Sequence, residues 1–245
     1  MYPFVLSEVS EVIKNNATED LAYLGSTWYT IYKEMTGWSH FGGAGMPKQT
    51  FFNLEPEKRQ AVIKAAVEEF AQLPFEQASL TKIVEKCGIA KGSMYQYFED
   101  KRDLYMYVVD LAYEQKRDYV GKAFVKGGDI FSVLEEYYRE SYRFAREHPL
   151  FHQVANKFWD SKAEALQPEL EKGRLSRARD FAQFLDNAMA GGEVNRALDP
   201  EAVFFVYHAV GRDLIDYFDQ GRNDKFLKKV LDVLRFGLTT RREEV

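Results

Sequence analysis

The stretch "SLTKIVEKCGIAKGSMYQYFEDKRDL", residues 79–104, contains two short helical patterns parted by Gly88-Ile89-Ala90, and a third pattern opens at its end. Ser79 is a good N-cap, Ile83, Val84 and Cys87 supply one apolar side, and Gly88 can take the left-handed conformation that closes a helix. A second helix begins within about three residues. Two short helices joined by a tight, glycine-containing turn make the helix-turn-helix pattern. Asp100 then caps a longer helix, expected over 101–126 and broken by Gly127 and Gly128.

The second of these helices has an unusual composition. At about 100° per residue Met94 and Phe98 share one side, which predicts that they anchor the helix to a core. Gly92, Ser93 and Gln96 lie opposite, with Lys91, Tyr95 and Tyr97 on the flanks. Glycine costs up to about 1 kcal/mol inside a helix, less in its first turn, and it lets another surface approach closely. That outer face suits a duplex groove: Gln96 can read a base edge, Ser93 a base or phosphate, and the tyrosine hydroxyls can donate to phosphates. Lys101 stands at the next helix N-terminus, where free N–H groups favour a phosphate, and Thr81 is placed for another. Spacing alone leaves a second reading open, in which Tyr95 and Tyr97 cover the core and Lys91 and Lys101 are merely solvated.

Working outward, "PEKRQAVIKAAVEEFAQL" (56–73) starts with a proline suited to the first helical turn. It sets Ile63, Ala66, Val67 and Phe70 on one face and stops before Pro74. Further helices are expected at about 129–147, 150–161, 168–190, 200–220 and 224–240, and no alternating strand pattern interrupts them. The fold class is therefore all-α. The 245 residues are 46% hydrophobic, 15% aromatic and 29% charged, as in a globular protein. A net charge of −5, from 33 basic and 38 acidic residues, gives no global sign of nucleic-acid binding, so any such surface must be local. No run reaches the roughly 18 apolar residues of a membrane helix. The N-terminus lacks a basic leader, and the lone Cys87 fits a reducing, cytoplasmic setting as a small buried residue.

Residues 1–45 differ in composition from the rest and end in "GWSHFGGAG". Two readings remain: a glycine-rich linker, or a translation start at Met46 preceded by a G-rich gene segment encoding Gly42, Gly43 and Gly45.

Residues 59–104, with an apolar first helix ending at Phe70, the "IVEKCGIAKGSMYQYF" motif, and Lys101 and Leu104 in a "YxYFxxKxxL" tail, resemble the DNA-binding domain of the TetR family of bacterial transcriptional regulators. The resemblance implies an N-terminal three-helix helix-turn-helix domain followed by a larger helical domain for ligand binding and dimerisation. The expected division is an extension at 1–45, the DNA-binding domain at 46–104 and the second domain at 105–245. It also implies that Lys91, Gly92, Ser93, Tyr95, Tyr97 and Lys101, with Gln96 read from chemistry, contact DNA, and that Ser79 and Thr81 support them. Pro74, Val84 and Ala90 depart from the family's usual glycine, alanine and serine. An alanine cap gives up about 1 kcal/mol relative to serine.

Beyond residue 104 the resemblance is architectural only. Candidate ligand-contacting residues are Phe124, Phe158, Trp159 and Phe181, with Arg143, His152 and Arg177 as polar fixers of a small apolar effector. His148 and His152 lack a third ligand, so no metal or cofactor is expected. The 200–220 helix is apolar around most of its circumference. Val203, Tyr207, Val210 and Leu214, with Val230 and Leu234 of the last helix, are expected to form a homodimer interface. The expected function is a homodimeric repressor released from a palindromic operator by ligand, through the helix that begins at Lys101. The alternative is a DNA-binding regulator without an inducer. No nucleophile elbow, phosphate loop or metal-spaced cluster supports an enzyme.

Overall fold

A computed structural model describes residues 47–126, 128–218 and 224–238. The 1–45 extension and the alternative start at Met46 lie outside them. Helices are α1 (Gln49–Phe52), α2 (Pro56–Gln72), α3 (Leu80–Cys87), α4 (Lys91–Tyr97), α5 (Lys101–Lys126), α6 (Ile130–Glu147), α7 (Pro149–Trp159), α8 (Gln167–Ala190), α9 (Pro200–Phe218) and α10 (Asp224–Leu238), with a single 3-10 turn at Glu164–Leu166 before α8. No strand occurs among the described residues. The fold is all-helical, with the helix-turn-helix ahead of a larger helical region.

Local chemistry accounts for the boundaries. Pro56 opens α2. Ser79 caps α3 by accepting from the N–H of Lys82 at 3.4 Å, and Gly88 closes it at φ 67°, ψ 30°. Asp100 caps α5 by accepting the N–H of Asp103 at 2.9 Å. Ala90 offers no side-chain cap to α4; the N–H of Ser93 bonds to the Ala90 carbonyl at 2.9 Å instead. The four-residue α1 was not expected, because one helical turn leaves too short a pattern to read.

The described chain forms two compact units, one of residues 47–116 with 146–172, the other of 117–145 with 173–218 and 224–238. In the first, α2 packs on α3 and on α7, and α1 on α4. Its centre is aromatic: Tyr105 stands edge-on to Phe70 at 4.8 Å and contacts Phe75 at 5.1 Å and Phe158 at 6.4 Å. This is why the unit takes in residues past 104, since the first turns of α5 carry its central ring. Glu69 is buried and accepts the N–H of Ser79 at 3.0 Å, joining α2 to the start of α3. Arg102 joins α5 to the head of α8 through the Ala165 carbonyl, at 2.9 Å, and the Glu169 carboxylate.

In the second unit Phe124, Phe131, Leu134, Phe181, Phe184 and Val203 form one apolar cluster, and Tyr138, Leu214, Leu227 and Leu231 another. Gly211 is the seat of a close approach: a Cβ there would lie 2.5 Å from Cε1 of Tyr138, whose hydroxyl donates to the Tyr207 carbonyl at 2.9 Å. Gly211→Ala should therefore cost about 1–3 kcal/mol of stability by overpacking, seen as a lower thermal midpoint with helicity retained.

Asp110 is partly buried, and its Oδ1 accepts no hydrogen bond. Burial, and then the charge of Glu114, push its carboxyl up to about 7. The folded chain holds this proton between pH 4 and 7 while the unfolded chain has lost it, so the group lowers stability as pH rises through that window, with no further loss above it. Asp110→Asn, which mimics the protonated form, should raise the thermal midpoint at pH 8 and leave it nearly unchanged at pH 4.

Candidate DNA interface and apolar cavity

The seven residues of α4 rest on Met94 and Phe98, which are 1% and 0% exposed. The opposite side is open. Lys91, Gly92 and Gln96 are exposed, Ser93 is half-buried, and Tyr95 is 46% exposed while Tyr97 is half-buried beside Phe51 at 6.2 Å. A Cβ built on Gly92 would meet nothing within 4 Å, so the protein's own packing does not demand glycine there. Thr81 is exposed on the first turn of α3. Polar groups of the expected kinds are thus accessible on both helices of the motif.

Two residues expected at the DNA make bonds inside the protein. Ser79 uses its hydroxyl as the α3 cap and its N–H on Glu69. The Lys101 ammonium donates to the carbonyls of Phe75, at 2.7 Å, Ala78, at 3.1 Å, and Glu76, at 3.4 Å, and sits 4.5 Å from the Phe75 ring centre. These carbonyls belong to the α2–α3 connection. A spacing argument sees a lysine at a helix N-terminus; it does not see three carbonyls converging on its ammonium. Lys101→Met should cost about 1–3 kcal/mol, read as a lower unfolding midpoint in urea.

The residues proposed to bind ligand fall in different places. Phe181 lines a cavity of about 170 Å³ in the second unit, together with Ile130, Phe131, Leu134, Leu185, Val194, Leu198, Asp199, Ala202, Val203, Val206, Tyr207, Leu231 and Leu234. Asp199 is occupied in capping α9, accepting the N–H of Ala202 at 2.8 Å, so the walls are otherwise nearly all apolar. Phe124 belongs to the adjoining cluster. Arg143 is exposed, 3.5 Å from Glu140 and over the Tyr119 ring, and Arg177 lies 3.3 Å from His208. His152, Phe158 and Trp159 belong to the first unit. There burial, with help from Lys116, lowers the His152 imidazole to about 4, so it is neutral and takes part in a 3.1 Å bond with the Asn156 amide. Trp159 donates to the Tyr113 hydroxyl. Metal-holding clusters of His, Cys, Asp or Glu are absent among the described residues.

The residues expected at a dimer interface mostly face inward. Val203 and Leu214 are 6% and 5% exposed in the single chain, and Val203, Tyr207 and Leu234 line the cavity. Val210 and Val230 are half-buried. Outward apolar residues on these helices are Phe205 of α9, 73% exposed, and Val233 and Phe236 of α10, 72% and 77% exposed; Val206, 44% exposed, also lines the cavity. Periodicity shows a helix apolar around most of its circumference, but it does not say which side the fold turns inward.

Residues 62–108, from α2 into α5, match the family model described as bacterial regulatory proteins, tetR family. A TetR family transcriptional regulator from Chloroflexus aurantiacus is similar at 29% identity and a TM-score of 0.62, over 80% of this chain and all of that one. The HTH-type transcriptional regulator YvdT of Bacillus subtilis is 27% identical over 103 residues, 42% of this chain; the chain spans half the length of that relative. The transcriptional regulator FadR of Bacillus subtilis, solved in complex with stearoyl-CoA, shares the fold at 18% identity and a TM-score of 0.58, over 73% of this chain and 98% of that one. With its helix-turn-helix inside the matched segment and an all-helical region after it, the chain carries a DNA-binding domain of the tetR-family type.

Proposed function

We propose that the protein is a homodimeric repressor whose α4 reads a palindromic operator and whose affinity falls when a compact apolar molecule enters the second unit. The observation that carries the reading is the two-sidedness of α4: Met94 and Phe98 are buried while Lys91, Gly92 and Gln96 stand exposed. Gln96 and Ser93 are given base and phosphate contacts, and Tyr95 and Tyr97 brace the helix on the backbone. Domain limits at 46–104 and 105–245, and a cytoplasmic setting, go with this reading.

Support for dimerisation is the outward apolar residues on α9 and α10, which a lone chain would leave in water. Two copies of this helix pair would bury them in a four-helix arrangement. Support for an effector is the cavity of about 170 Å³, whose size and apolar walls suit an uncharged molecule not much larger than benzene. The FadR neighbour's stearoyl-CoA is longer and carries a charged group, so the class of effector differs. Val120, Ala123 and Phe124 of α5 lie in the same apolar cluster as several walls, which offers a physical route from an occupied cavity to the helix that begins beside α4. A hundredfold loss of operator affinity requires the ligand to prefer the weak-binding form by about 2.7 kcal/mol.

The test is a footprint on the gene's own upstream region, repeated with a panel of small hydrocarbons and aromatics. Protection of a two-fold symmetric site, lost with a compound that also raises the thermal midpoint, supports the whole reading. Protection that survives every stabilising compound leaves a regulator without an inducer. Gly92→Ala should raise the thermal midpoint slightly, since alanine is worth up to about 1 kcal/mol over glycine in a helix. It should nevertheless weaken operator binding, because the new methyl meets only the DNA. Equal binding by this variant would remove α4 from the interface.

A further inference from the structure

The N-terminal arm that leads into α2 is tied to the far end of α4. A helix leaves its last four carbonyls without partners inside itself. In α4 these belong to Met94, Tyr95, Gln96 and Tyr97. The N–H of Phe98 takes the first at 2.9 Å. The arm takes the other three: Lys48 Nζ donates to the Tyr95 carbonyl at 3.0 Å, Thr50 Oγ1 to the Gln96 carbonyl, and the Lys48 N–H to the Tyr97 carbonyl at 2.8 Å.

A ring holds the arm from the side. Phe51 is fully buried, 4.9 Å from Phe98 and 5.5 Å from Tyr107 between ring centres. Lys48 also pairs with Glu99 at 2.8 Å, and Arg59 of α2 donates to the Phe52 carbonyl at 3.0 Å, which fastens the other end of α1. Along its axis α4 is therefore held by hydrogen bonds, and across it by Phe51. Phe51 is buried, while Lys48 and Thr50 are exposed and commit their side-chain donors to α4 carbonyls.

We propose that Lys48, Thr50 and Phe51 form a clamp that sets the aim of α4, and so are positioning residues for operator recognition; this rests on the DNA-reading role proposed above. The bond to the Gln96 carbonyl is the most telling, because it fixes the backbone of the residue assigned to read a base. Losing it lets the end of the helix turn, which misdirects the Gln96 amide while leaving Lys91 and the charge of the head unchanged. Sequence discrimination falls, and general affinity for DNA does not.

The experiment uses the full chain and a duplex selected by the wild-type protein from a random pool, against an unrelated duplex of equal length. Thr50→Ala should weaken binding to the selected duplex about tenfold, leave binding to the unrelated duplex and the salt dependence of both unchanged, and speed amide exchange in residues 94–98 relative to α2. Thr50→Ser should restore both readouts. Unchanged exchange in α4 would overturn the clamp, as would an equal loss on both duplexes accompanied by a lower thermal midpoint. A changed salt slope would overturn it by assigning the arm to phosphate contact. If no duplex is selected at all, the DNA reading and the positioning role fall together, and faster exchange in Thr50→Ala would show that the clamp itself exists.

Discussion

The head depends on seating a seven-residue helix, which in water is too short to persist on its own hydrogen bonds. Every property assigned to α4 needs Met94 and Phe98 to be held; both are buried, and Phe98 is held by rings contributed from several parts of the chain. Phe51 comes from the arm, and Tyr107 from α5; deeper in the unit Tyr105 joins Phe70, Phe75 and Phe158. The residues that touch this core leave Lys91, Gly92 and the Gln96 side chain exposed. Lys101 shows the reverse allocation, because a charged side chain at a helix start is used to tie together the α2–α3 connection.

In the second unit the corresponding constraint is the apolar excess of α9. Its inward stripe, with Val203 and Tyr207, makes a wall of the cavity, while Phe205 faces outward. Only Gly211 lets the ring of Tyr138 reach the helix backbone closely enough for its hydroxyl to meet the Tyr207 carbonyl. One helix thus carries both the cavity wall and the surface proposed for pairing. A change in its packing on one side is bound to be felt on the other.

The helix-turn-helix was legible because each boundary is set by neighbours in sequence: a serine cap, a left-handed glycine, an aspartate cap, a proline at a first turn. The two faces of α4 were legible for the same reason, since an angle per residue orders them. Less was legible where a role depends on what lies across a gap. Ser79 and Lys101 have the right chemistry for DNA, yet their partners Glu69 and the Phe75 and Ala78 carbonyls stand ten or more residues away. His152, read as a polar fixer for a ligand, and Trp159, read as a lining ring, are bonded to Asn156 and Tyr113 in the first unit.

The sequence by itself determined the class of fold, the helix ends and the polar side of α4, because these follow from backbone preferences and a fixed 100° step. The tertiary structure alone decided that the arm at Lys48–Phe51 closes the far end of α4, which lysine is committed internally, and which apolar stripe of α9 faces inward. Those outcomes depend on the distances between segments far apart in the chain, and a local pattern carries no information about which of its chemically adequate partners it will meet.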